Sequence, residues 1–185
     1  MQPIQWRRAL LSVWWAWALF AWTLLMTLIR WMGGLLFAHI MSAIIWTGTD
    51  LFLGLMLGPA LNKIPAPDRI PFVRHLFPRN LWMMPIIAGS TLTSGYFIAL
   101  REHLFTSFPL PLIFAGLFVV AMTVNGFGII LPTNYVILKM SEQPGPPPAN
   151  FARKMTRFRY AVNAETFLQL GTIICMVWLV QLPPV

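Results

Sequence analysis

Five apolar runs separated by short polar stretches set the pattern of this chain. Residues 9–29, 34–61, 81–100, 112–138 and 159–182 are dominated by aliphatic and aromatic side chains. Each reaches the ~20 residues that an α-helix needs to cross a bilayer. The pattern predicts an all-α, polytopic membrane protein with five transmembrane helices. Arg30-Trp31-Met32-Gly33-Gly34 reads as a tight interfacial turn between the first two. Residues 62–80 read as a polar loop carrying four prolines and four basic residues, and 139–158 as a second basic loop stiffened by Pro144 and Pro146-Pro147-Pro148. Pro132 predicts a kink in the fourth helix, because proline has no N–H for the carbonyl four residues back. The first run lacks the short apolar region and small-residue cleavage site of a signal peptide, so it reads as a retained helix.

The second run carries the informative polar residues. His39, Ser42 or Ala43, Trp46 and Asp50 recur at steps of three or four, which places them on one helix face. An aspartate in a membrane span costs roughly 2.5–3.5 kcal/mol on insertion scales, so its presence calls for a partner or a role. The third run adds a hydroxyl-rich patch, Ser90, Thr91, Thr93 and Ser94, suited to bonding a neighbouring helix. The first run is aromatic nearly all round, with Trp14, Trp15, Trp17 and Trp22, and reads as an anchor facing lipid or another subunit.

Composition narrows the class. Of 185 residues, 58% are hydrophobic and 10% charged, against about 25% charged in a soluble domain, so the main partner is the lipid bilayer. The net charge of +8 does not indicate nucleic acid, because the basic residues lie between apolar runs rather than interleaved with aromatics in a soluble fold. The single cysteine, Cys175, excludes an internal disulfide and a cysteine-built metal site. With five crossings, eleven of the 13 Lys and Arg residues fall on one side and only Arg30 and Arg101 on the other. The positive-inside rule then places the N-terminus in the cytoplasm and the C-terminus outside, in a bacterial-type inner membrane.

That topology puts His39 near the outer face, with His103 in the adjoining outer loop. It gathers Asp50, Asn134, Asn163 and Glu165 near the inner face, within reach of Lys154, Arg157 or Arg159. Two readings of this inner cluster follow: a proton or ion entry point, and a structural clamp in which loop arginines neutralise the acids. His39 likewise has two readings: a ligand for haem or copper, and a neutral imidazole bonded to Ser90, Thr93 or Ser94.

From about Phe37, the stretch AHIMSAIIWTGTDLFLGLMLGPAL and its proline- and arginine-bearing sequel resemble the membrane domain of the CopD (copper resistance D) family. The ending RFRYAVNAETFLQLGTIICMVWLV is similar, more distantly, to the last helix of HemJ-type protoporphyrinogen oxidase membrane proteins. The resemblance implies a CopD-like four-helix bundle over residues 34–185, preceded by an anchor helix and turn over 1–33. It implies His39 as a ligand of haem b or copper, with His103 as a further metal candidate. The lysine and histidine that relatives carry in a later helix fall by spacing near Pro111 and Asn125 here, which leaves one protein ligand. The implied role is a membrane subunit of a redox or respiratory assembly, associated with other membrane subunits. The competing expectation is a cofactor-free structural or assembly subunit. No acid–base pair of catalytic spacing is legible, so an independent enzyme is not expected.

Overall fold

Every regular element of the computed structural model is a helix, among the residues it describes, 6–182. The first five residues of the basic start, and residues 183–185, lie outside them. The elements are α1 (Trp6–Ser12), α2 (Trp14–Leu28), α3 (Met32–Asn62), α4 (Ala66–Arg101), α5 (Leu104–Ser107), α6 (Leu110–Glu142) and α7 (Phe151–Val180). Four of these, α3, α4, α6 and α7, are long and apolar enough to cross a membrane; α1 and α2 together make a fifth candidate, bent by 53° at Val13. Lipid is therefore the natural solvent for most of this surface, and side chains such as Leu117, Val120, Val124 and Ile174 lie exposed along it.

The helices run longer than the apolar runs predict. The expected loop 62–80 is mostly helix, since α4 begins at Ala66 and passes through Pro71, Pro78 and Pro85. Likewise α7 begins at Phe151, eight residues before the predicted start, and the intervening loop shrinks to 143–150. A helix of 36 residues is about 54 Å long at 1.5 Å per residue, well beyond a ~30 Å hydrocarbon core. The amphipathic ends of α4 and α7 thus continue past the apolar layer. There they bury Val73, Phe77, Phe151 and Phe158 with Leu53, Ile137 and Leu138 in one hydrophobic cluster.

Proline shapes two of the long helices. The turn of α3 over Phe52–Leu57 and that of α6 over Gly126–Ile130 are wide π-type turns. Pro59 and Pro132 each follow after one intervening residue. Each lacks an N–H for the carbonyl four residues earlier, and its ring crowds that carbonyl, so the preceding turn opens. The kink expected at Pro132 takes this form.

Arginines close helix ends that the sequence reading left to loops. Arg69 donates to the carbonyls of Asn62 and Ile64 (3.0 and 2.6 Å) at the end of α3. Arg74 donates to Ser141 in the last turn of α6, and Arg101 donates to Thr27 at the end of α2 (2.8 Å). A cation on terminal carbonyls satisfies groups without intrahelical partners and complements the helix dipole.

The N-terminal helix pair is built into the fold. Trp6 packs on the cluster at the basic end of α4 and α7, while Thr27 meets Arg101 at the opposite end. Val13 and Ala16 pack with Trp46, Ile86 and Ile87. The hydroxyl of Thr23 donates to Leu19 O, so the 2.5 Å contact with Ser90 is an O–H donated by Ser90. The turn after α2 is made by Arg30 at φ 58°, not by glycine. Gly34 serves instead for close approach: a Cβ there would strike Met26 and Trp31, and its carbonyl accepts from the Trp22 indole at 3.1 Å. For the pair Thr23→Val and Ser90→Ala, a double-mutant cycle in micelles is expected to show coupling of about 0.6–1.7 kcal/mol, the range found for hydrogen bonds between membrane helices. Zero coupling would mean that each hydroxyl is satisfied equally well by its own helix.

Candidate functional site

The polar residues fall into two groups, one centred on His39 and one at the middle of the helices. His39 projects from α3 across Gly95 of α4, where the missing side chain leaves room for the imidazole; a Cβ on Gly95 would come within 2.8 Å of His39 Cε1. His39 Nδ1 lies 3.0 Å from the carbonyl of Thr91 and 3.1 Å from the hydroxyl of Ser94. A carbonyl only accepts, so Nδ1 carries the proton and donates it. Ser94 gives its own hydrogen to Ser90 O at 2.6 Å, leaving its oxygen free to accept the second branch. The neutral ring therefore keeps its lone pair on Nε2. A ligating histidine is typically set up this way, with one ring nitrogen held by a backbone carbonyl and the other presented.

Of the hydroxyls proposed for His39, Ser94 is the one that bonds it; Ser90 is turned to Thr23, and the contribution of residue 91 is its carbonyl. His103 sits exposed in the turn after α4, with left-handed φ of 55°. Among the described residues, no group of three or more His, Cys, Asp or Glu side chains is placed to hold a metal ion. Asn125, near which the resemblance sought a second ligand, is turned to α7.

The second group surrounds Glu165, which stands at the midpoint of α7 (Phe151–Val180). Asn125 donates one amide to Glu165 Oε2 at 2.7 Å and to the carbonyl of Ala161 at 2.9 Å. One turn along α7, Gln169 donates to Asp50 Oδ2 at 2.9 Å, and the Trp46 indole approaches the same carboxyl. Asp50 and Glu165 are each 2% exposed. Both carboxyls thus take carboxamide donors. The arginines expected to clamp them do not bond them: Arg159 lies over Gly58 and the Tyr160 ring.

Asp50, Glu165 and Asn134 share the lining of one cavity of about 80 Å³ between α3, α4, α6 and α7. Asn134 is 2% exposed, and its Oδ1 has no hydrogen-bond partner. Asn163, the fourth expected member, is directed elsewhere; its Oδ1 lies against Gly54 in the wide turn of α3. Both wide turns begin within two residues of this polar group, after Asp50 and after Asn125, the partner of Glu165. The residue that sequence reasoning missed is Gln169. Its signal was available, since 165 and 169 are one turn apart on the same face, but a glutamine in an apolar run carries no charge to draw notice.

Comparison with family models, with curated proteins and with solved structures finds no match for the chain.

Proposed function

We propose that this chain is an integral membrane subunit of a redox or respiratory assembly, in which His39 binds haem b through Nε2, with copper as the alternative occupant. The observation that carries this reading is the Nδ1–H bond to the Thr91 carbonyl, which fixes the tautomer and leaves Nε2 as the donor atom. The residues fit a group needing one protein ligand and do not assemble a copper cage. Haem bound there would supply one-electron transfer. His39, Gly95, Thr91 and Ser94 would orient the ring.

In this reading α1 and α2 form one bent span, giving five crossings. The basic ends of the helices face the cytoplasm of a bacterial-type cell, and His39 lies toward the outer side. Support comes from Trp6 at the basic end and Thr27 at the other. Residues 34–185 form the CopD-like bundle, and the exposed tryptophans of α2, Trp14 and Trp17, face lipid or a partner subunit.

The test is a reduced-minus-oxidised absorption spectrum of the purified protein. Soret and α bands are expected, absent from His39→Ala and retained in His103→Ala. A wild-type protein that is folded yet shows neither band, and that copurifies with larger membrane subunits, would replace this reading with the cofactor-free structural subunit.

A further inference from the structure

We propose that the central cavity binds one hard monovalent cation, a hydrated proton or a sodium ion, between Asp50 and Glu165. Two carboxyl groups from α3 and α7 line one partly open cavity between apolar helices. They are the titratable groups facing it: α4 contributes Asn80, and α6 contributes Thr123 and Asn134, none of which titrates. No basic side chain bonds either acid among the described residues. Two bare carboxylates in such a medium would be far more costly than amide hydrogen bonds repay. A positive charge from solution neutralises them.

The oxygen atoms are arranged to receive it. Gln169 and Asn125 occupy one oxygen of each carboxyl. The other oxygen of Glu165, Oε1, lies toward Gly126, which lines the cavity. Asn134 also lines the cavity, and its Oδ1 is buried and unpartnered. An amide oxygen beside two acids accepts from a hydronium ion or coordinates an alkali ion, and both are oxygen-seeking. A cavity of about 80 Å³ has room for one ion and its residual hydration, since a water needs only ~10–15 Å³ on this measure.

A route from the lipid is present as well. Leu81, Pro85, Phe127 and Leu131 line both this cavity and a wider apolar groove between α2, α4 and α6. These four side chains stand between lipid and the acids, so an apolar reagent reaches the site when they shift.

The test uses the full chain in lipid nanodiscs, treated with dicyclohexylcarbodiimide and mapped by peptide mass. This apolar carbodiimide adds to a protonated carboxyl group: the acid proton moves to nitrogen, and the carboxylate oxygen attacks carbon. An adduct is expected on Asp50 or Glu165. Slowing by sodium, but not by choline at equal ionic strength, identifies an alkali ion. Slowing only by rising pH identifies the proton. No adduct on either carboxyl, or an adduct rate indifferent to both sodium and pH, overturns the proposal.

Asn134→Leu keeps both acids and fills the cavity with an apolar side chain, so it tests the site without uncovering a charge. Where sodium protects, losing one oxygen ligand is expected to weaken that protection about tenfold; where the proton is the ion, the pH at which the adduct rate falls is expected to shift. Neither change, in a variant that elutes normally on size exclusion, also overturns the proposal.

Discussion

Phe151→Ala is expected to lower the free energy of unfolding by about 3–5 kcal/mol. Phe151 is the first residue of α7 and is 1% exposed. Its ring sits in the cluster of Val73, Phe77, Ile137, Leu138 and Phe158, and its N–H reaches Pro148 O at 2.8 Å. The effect should be large because of where the cluster lies. In mid-bilayer, lipid tails are as apolar as a leucine side chain, so burying one against another helix gains little from solvent. The ends of α4 and α7 carry Arg69, Arg74, Arg153 and Arg157 and extend beyond an apolar layer, so water drives burial there. Phe167→Ala provides the contrast: Phe167 is 66% exposed on the apolar part of α7, and its removal should change stability by less than about 0.5 kcal/mol. Denaturant titration of both variants in micelles checks the pair. Equal, small effects would mean that the Phe151 cluster is immersed in lipid.

Asn125→Leu should destabilise the protein by about 1–3 kcal/mol, and adding Glu165→Leu should recover part of the loss. Asn125 is the donor to both Glu165 and the Ala161 carbonyl. Its removal leaves a buried acid and a buried carbonyl without that donor. Replacing both partners by apolar groups removes the orphaned acid, which is why the double variant should be better than the sum of its parts. If instead the double variant is less stable than Asn125→Leu alone, Glu165 has a stabilising partner of its own, and the amide is incidental. The cycle is read from the same titrations.

These two sites differ in how far they were legible beforehand. Asp50, Glu165 and Asn134 stand out in the sequence because a polar residue inside an apolar run is rare and costly. The expectation gathered them with Asn163 near the inner face; the structure places these three, without Asn163, around one cavity and supplies carboxamide partners for the acids. The clamp by Lys154, Arg157 and Arg159 failed as an expectation because it relied on a loop reaching to residue 158, whereas α7 is already helical from Phe151 and carries those arginines around the helix. His39 was legible as a residue facing the hydroxyl patch of α4. That Ser94 and the Thr91 carbonyl hold it, while Ser90 is given to Thr23, depends on the rotation of three helices. The N-terminal helix shows the same dependence on rotation. Its tryptophans dominate the pattern, but smaller residues join it to α4: Val13 and Ala16 pack on Ile86 and Ile87, Thr23 meets Ser90, and Thr27 accepts from Arg101.

The sequence by itself determined the helical class, the apolar spans, the crowding of basic residues at one end, and the identities of the acids and the imidazole. These are local properties, written in composition and in periods of three or four residues. The tertiary structure decided helix lengths through proline-bearing segments, because packing and arginine caps stabilise turns that hydropathy alone assigns to loops. It also decided which donor meets which acceptor, because a hydrogen bond depends on ångström distances between helices that are far apart in the chain. Asp50 and Gln169 are 119 residues apart along it and 2.9 Å apart in space.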